Sequence, residues 1–135
     1  MLFGCATVKP ITVVNIGQQP GVELTTNVGE VFFDQQEMSG KENSMNGIWL
    51  FNGQRIEYAV RSATKDKLVL DYSEFFKHGS GGYGEILHND PWLKKPAFDK
   101  TLEFDLADSK SIFLKKYEFE ILDVKGGRIK YKRVK

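Results

Sequence analysis

Apolar and polar residues alternate with a period of two over much of the chain. Residues 56–61 and residues 68–72 both show this pattern, and the polar run Thr64-Lys65-Asp66 separates them. A period of two places successive side chains on opposite faces of a β-strand. The pattern therefore predicts two antiparallel strands joined by a turn. The inward positions are Ile56, Tyr58, Val60, Leu68, Leu70 and Tyr72.

Further strands are predicted on both sides of this pair. Residues 11–16 are rich in β-branched side chains, and residues 22–33 form a longer β region. Residues 101–106 alternate cleanly, with Leu102, Phe104 and Leu106 inward. Residues 34–46 are polar and lack an apolar period, so we expect a loop there.

Two glycine-containing pairs indicate hairpin turns. Asn52-Gly53 matches a two-residue type I′ turn, because both positions of that turn need positive φ. This turn would set Trp49 opposite Ile56. Gly126-Gly127 predicts a second hairpin, which pairs Val124 with Ile129.

The register of the last hairpin also pairs opposite charges. It sets Asp123 against Lys130, Glu120 against Arg133 and Glu118 against Lys135. In the first strand of this hairpin the apolar residues change from one face to the other at Ile121-Leu122. This change predicts a β-bulge there.

One helical turn is expected at residues 73–79, with Ser73 as N-cap and Gly79 as the stop. The predicted fold is otherwise all-β: a single small antiparallel β-barrel or sandwich built from meanders and hairpins. Residues 1–21 are expected to be a tether, and residues 22–135 a single domain.

Composition narrows the function classes. The chain has 135 residues, which suits one domain, and 41% of them are hydrophobic. No apolar run approaches the roughly 20 residues of a membrane-spanning helix. The single cysteine allows no internal disulfide and no cysteine-based zinc site.

Charge is unevenly distributed along the chain. The net charge is +1, but residues 110–135 contain nine basic and three acidic residues. A basic segment can attract nucleic acid. Because the hairpin register pairs much of this charge across strands, we expect no nucleic-acid partner.

The cysteine at position 5 lies in the segment Leu2-Phe3-Gly4-Cys5-Ala6. This segment resembles the lipobox of bacterial lipoproteins, which has an apolar residue three places before the cysteine and a small residue just before it. The resemblance implies lipidation of Cys5, membrane attachment and the remainder of a signal peptide upstream in the gene. In Gram-negative lipoproteins a residue other than aspartate at the place of Ala6 implies the outer membrane.

The segment from Lys77 to Lys95 is the predicted recognition loop. It gathers glycines and the partner-binding candidates His78, Tyr83, His88 and Trp92. Residues 79–84 match G-x-G-x-x-G, but no βαβ unit surrounds them, so no nucleotide cofactor is expected. The spacing of His78, His88 and Asp90 matches no established ligand motif, so no metal site is predicted.

These features favour a bacterial envelope lipoprotein, anchored through Cys5 and facing the periplasm. It would act as a binding or assembly module with an envelope protein partner, and no catalytic residue is assigned. Two alternatives remain open: a cytosolic β-domain that binds a partner through its loops, and a small hydrolase that uses His78 or His88 with Asp90. The sequence leaves the oligomeric state open.

Overall fold

The computed structural model describes residues 8–45, 47–79, 85–86, 90–96 and 99–135. Within these residues the chain forms ten β-strands and no helix longer than a single 3₁₀ position, which confirms the all-β prediction. The strands are β1 (Val8–Ile16), β2 (Glu23–Asn27), β3 (Val31–Asn43), β4 (Gly47–Ala63), β5 (Lys67–His78), β6 (Leu93–Lys94), β7 (Lys100–Asp105), β8 (Ser111–Leu114), β9 (Tyr117–Lys125) and β10 (Arg128–Arg133).

The strands belong to two antiparallel sheets. The first sheet has the order β1-β3-β4-β5-β6, and β7 also pairs with β5. The second has the order β2-β10-β9-β8. Side chains from both sheets contribute to one buried cluster, so the described strands form a sandwich of two open sheets and no closed barrel.

Aromatic side chains form the centre of the sandwich. Phe32 and Phe33 are consecutive, yet both are fully buried, because a β-bulge at Phe32 breaks the alternation of β3. The Phe32 ring stacks on Tyr131 with 4.1 Å between centroids, and Phe33 meets Phe119 edge-on at 5.2 Å. The Tyr131 hydroxyl donates a hydrogen bond to the Phe32 carbonyl. Both sheets are thereby fixed to each other.

The first sheet is much longer than the second. Its buried core side chains lie in residues 32–33, 58–60 and 68–72, which leaves the far halves of β3 and β4 outside the core. We call this extension the arm; it comprises residues 8–14, 37–43, 47–55 and 74–78. Within the arm a Cβ on Gly40 would clash with the Trp49 carbonyl oxygen, so only glycine allows this approach of β3 and β4.

The arm corrects two local predictions. Residues 34–43 belong to β3 and are no loop, because β1 and β4 pair with them on both sides. Asn52-Gly53 lies inside β4 opposite Ser39 and Met38 and forms no turn. The β3–β4 turn is instead reached at Ser44 and Met45. Long strand pairing outweighs a local turn preference here.

The predicted helical turn at residues 73–79 is also wrong. Residues 73–78 continue β5, in which Ser73 pairs with Glu57 and His78 with Asn52. The predicted strand at residues 11–16 is confirmed, but it begins earlier. Val8, Lys9 and Pro10, predicted as tether, pair with Asn43, Glu42 and Lys41.

The last hairpin follows its predicted register near the turn. Val124 pairs with Ile129 and Asp123 with Lys130, and the expected bulge occurs at Leu122. Beyond the bulge the register shifts by one residue, so Glu120 pairs with Lys132 and not with Arg133. The Lys135 ammonium lies 3.9 Å from Glu118, as predicted. Lys130 contacts Glu23 on β2 at 3.3 Å.

Three phenylalanines allow a test of the core. Phe119 is fully buried, Phe104 only partly and Phe113 is 61% exposed. We expect Phe119→Ala to lower the free energy of unfolding by about 3–5 kcal/mol, Phe104→Ala by about 1–2 kcal/mol and Phe113→Ala by less than about 0.5 kcal/mol. Urea denaturation measures all three; a cost for Phe104→Ala equal to that for Phe119→Ala would contradict the placement of β7 at the margin of the core.

Candidate binding surface on the arm

A cleft lies where the second sheet stops covering the first. Its volume is about 470 Å³, which is within the usual range of ligand pockets. It is lined by Gln35, Glu37, Gln54, Ile56, Lys115, Lys116 and Tyr117. We call it the junction cleft.

Strand register brings the cleft residues together. Gln35 pairs with Ile56, and Glu37 pairs with Gln54. Gln35 and Glu37 are two and four positions after Phe33 in β3, so these residues and their partners share the face of Phe33. Past the core, β3 and β4 carry the polar side chains of Gln35, Glu37 and Gln54 on that face. The β8–β9 turn supplies the opposite wall.

That opposite wall is shaped by an unusual backbone conformation. Lys115 has φ of 58°, the left-handed region, which a tight turn between β8 and β9 requires. Its ammonium lies 5.2 Å from the centre of the Tyr72 ring, and that of Lys116 lies 5.6 Å from the Tyr117 ring. The two lysines thus hold positive charge at the mouth of the cleft beside aromatic faces.

Tyr72 and Glu74 continue the same face of β5. The Tyr72 hydroxyl donates a hydrogen bond to Glu74 Oε2 at 2.7 Å. Burial raises the pKa of Tyr72, and the hydrogen bond to Glu74 raises it further. Tyr72 is therefore a neutral donor at physiological pH. The amides, Glu37 and the two lysines that line the cleft offer donors, acceptors and both signs of charge, which suits a polar peptide or a small polar ligand.

A second, shallower depression adjoins the junction cleft on the same face. Its volume is about 350 Å³, and it shares Gln54 with the cleft. His78 lies here, with its Nδ1 2.9 Å from Asn52 Oδ1 and its ring 5.4 Å from that of Phe76. Among the predicted partner-binding residues that the structure describes, His78 lines this depression. The remaining lining residues are Ser39, Gly53, Phe76 and Lys95.

Trp92 lies on the opposite face of the arm and packs against its own chain. A Cβ on Gly53 would lie 3.1 Å from Trp92 Cη2, so the indole covers the gap that glycine leaves in β4. The buried Lys77 places its ammonium 4.9 Å from the centre of the indole ring. The sequence showed no packing role for Trp92, whereas the structure provides one. Partner binding by its exposed part stays a prediction.

Cys5, Tyr83 and His88 lie outside the described residues, so their predicted roles stay predictions. Asp90 is buried, and the hydrolase alternative would need it beside His78 or His88. Within the described part of the chain, no three histidine, cysteine, aspartate or glutamate side chains group as a metal site. None of the helical structure described is long and apolar enough to cross a membrane.

Comparison with protein-family models, with curated proteins and with solved structures finds no match to this chain. The geometry of the arm is therefore the basis for functional inference. Sequence reasoning missed Gln35 and Glu37 because they lie in a segment predicted as a loop, and it missed Gln54 because that residue directly follows a predicted turn. Polar side chains without an apolar period give no signal that they share a face.

The packing of Trp92 gives a direct test, because the chain has two tryptophans in contrasting places. Trp92→Ala should lower the free energy of unfolding by about 2 kcal/mol through loss of the contact with Gly53 and Lys77. Trp49→Ala, at the exposed end of the arm, should cost less than about 1 kcal/mol. Equal costs in urea denaturation would show that Trp92 does not stabilise the arm.

Proposed function

We propose that this protein is a bacterial envelope lipoprotein, anchored through Cys5, that acts as a binding or assembly module at the membrane surface. The lipobox-like segment Leu2-Phe3-Gly4-Cys5 motivates the anchor. The observation that carries the proposal is the position of β1. Only Ala6 and Thr7 separate Cys5 from Val8, the first residue of that strand.

The short connection would hold the arm against the membrane. Val8 pairs with Asn43 at the end of the arm, whereas Ile16 pairs with Gln35 next to the sandwich. Three residues reach at most about 10 Å, so an acyl chain on Cys5 would keep the far end of the arm near the lipid. Residues 8–16, which fall within the expected tether of residues 1–21, form β1 instead.

The same geometry would raise the binding surface above the membrane. β4 has 17 residues, and a strand of that length spans roughly 55 Å at about 3.3 Å per residue. The junction cleft lies about midway along β4, at Gln54 and Ile56. At that rise it is roughly 25 Å from Gly47, within reach of a partner in the periplasm. Its amides and lysines favour a polar segment of an envelope protein.

Lipidation is tested with the complete gene product in its native bacterium. We expect mass spectrometry to find acyl chains on Cys5 and fractionation to recover the protein with membranes. Cys5→Ala should move it to the soluble fraction. Ala6→Asp is the matched control, because it should keep the acyl chains but change the membrane in which the protein is found. An unmodified Cys5 thiol in the complete product would overturn the anchor and favour the cytosolic alternative.

The binding surface is tested by site-specific photo-crosslinking in cells. A photoreactive residue at Gln54, in the junction cleft, should yield a discrete adduct with an envelope protein. The same residue at Phe113, exposed on β8 of the second sheet, should not. Adducts of equal yield at both positions, or none at Gln54, would show that the cleft is not the partner site.

A further inference from the structure

The far end of the arm exposes an unusual concentration of large apolar side chains. Val8 is 54% exposed, Met45 72%, Ile48 52% and Trp49 38%. They come from the start of β1, the β3–β4 turn and the start of β4. We call these four residues the arm tip. Exposed apolar residues scattered singly need no explanation, but a cluster at one extremity of a fold does.

The apolar residues of the arm tip are on both faces of the sheet. Trp49 pairs with Lys41, and Ile48 pairs with the adjacent Glu42. Successive positions of a strand point to opposite faces, so Trp49 and Ile48 do as well. A protein that docks on one face would leave the other in water. A lipid bilayer surrounds the tip and covers both.

Charged and amphipathic side chains at the tip suit the boundary of a bilayer. A lysine accompanies each of these two apolar residues. Lys41 pairs with Trp49, and Lys9 pairs with Glu42, which is the partner of Ile48. Lysine can bury its methylene chain while its ammonium reaches the headgroups, and tryptophan is enriched at this boundary. The Lys9 ammonium lies 3.4 Å from Glu42, so the charge is nearly balanced and apolar contact must supply most of the binding.

We propose that the arm tip inserts into the headgroup boundary of a lipid bilayer. The proposal rests on the proposed envelope location, since the chain before Val8 leads from the tip directly to Cys5. Insertion is shallow: β1 is an edge strand, and its outward-facing backbone groups need the water that the hydrocarbon core lacks. The tip would thus orient the arm, while the acyl chain provides the anchor.

The test uses the full chain with Cys5→Ser, so that no acyl chain contributes to binding. Trp92→Phe is added, which leaves Trp49 as the single tryptophan. The probe is a vesicle of phosphatidylethanolamine and phosphatidylglycerol. We expect the protein to float with the vesicles and the Trp49 emission to shift to shorter wavelength.

Variants then identify the tip as the contact. Ile48→Ser and Met45→Ser should each lower the vesicle partition coefficient, and together by about tenfold or more. Phe113→Ser is the matched control, because it removes an exposed aromatic ring from the second sheet and should leave partition unchanged. Melting temperatures show whether each variant folds. If Trp92→Phe prevents folding, an environment-sensitive fluorophore on Met45→Cys in the Cys5→Ser chain reports the same insertion.

Two outcomes would overturn insertion. The first is equal flotation of the double variant and its parent. The second is a Trp49 emission that vesicles leave unchanged, together with binding of the tip to a soluble protein or to a second copy of the chain. The anchor is judged separately. Acyl chains on Cys5 without a Trp49 shift would retain the anchor and reject insertion. A Trp49 shift with an unmodified Cys5 thiol would retain insertion and reject the anchor.

Discussion

The contact of Phe32 with Tyr131 is the interaction on which the sandwich depends. It joins β3 of the long sheet to β10 of the short one by ring stacking at 4.1 Å, and the Tyr131 hydroxyl satisfies the Phe32 carbonyl. A bulge makes this possible, because regular alternation would point either Phe32 or Phe33 to the outside. With both rings inward, Phe119 packs against both of them. Burial also raises the pKa of Tyr131, which keeps its hydroxyl a neutral donor.

The unequal length of the two sheets determines where function can reside. The short sheet covers residues near Phe33 and Tyr58, and beyond them β3 and β4 carry Gln35, Glu37 and Gln54 on the same face. The junction cleft is the boundary between these two regions. Polar side chains such as Gln35, Glu37 and Gln54 suit a sheet face that no second sheet covers. The arm tip instead concentrates exposed apolar side chains, which is the basis for the proposed contact with lipid.

The candidate site was only partly accessible to sequence reasoning. The sequence predicts His78 as a binding residue from its surroundings in the chain, and His78 does line a depression on the arm. The cleft beside it joins β3, β4 and the β8–β9 turn, so no single segment contains its pattern. Trp92 was selected as a loop residue, but its nearest packing partners, Gly53 and Lys77, lie 39 and 15 positions earlier in the chain. Contacts over such separations leave no local periodicity.

The sequence by itself determined the all-β class, the β4–β5 pairing near the core and the last hairpin with its bulge at Leu122. In these segments the partners are close in sequence, and the alternation of apolar residues specifies the buried face. Only the tertiary structure decided the fate of residues 34–43, Asn52-Gly53 and residues 73–78. Their local signals favour loop, turn and helix. Hydrogen bonds to neighbouring strands nevertheless stabilise the extended conformation, and this stabilisation outweighs the local preferences.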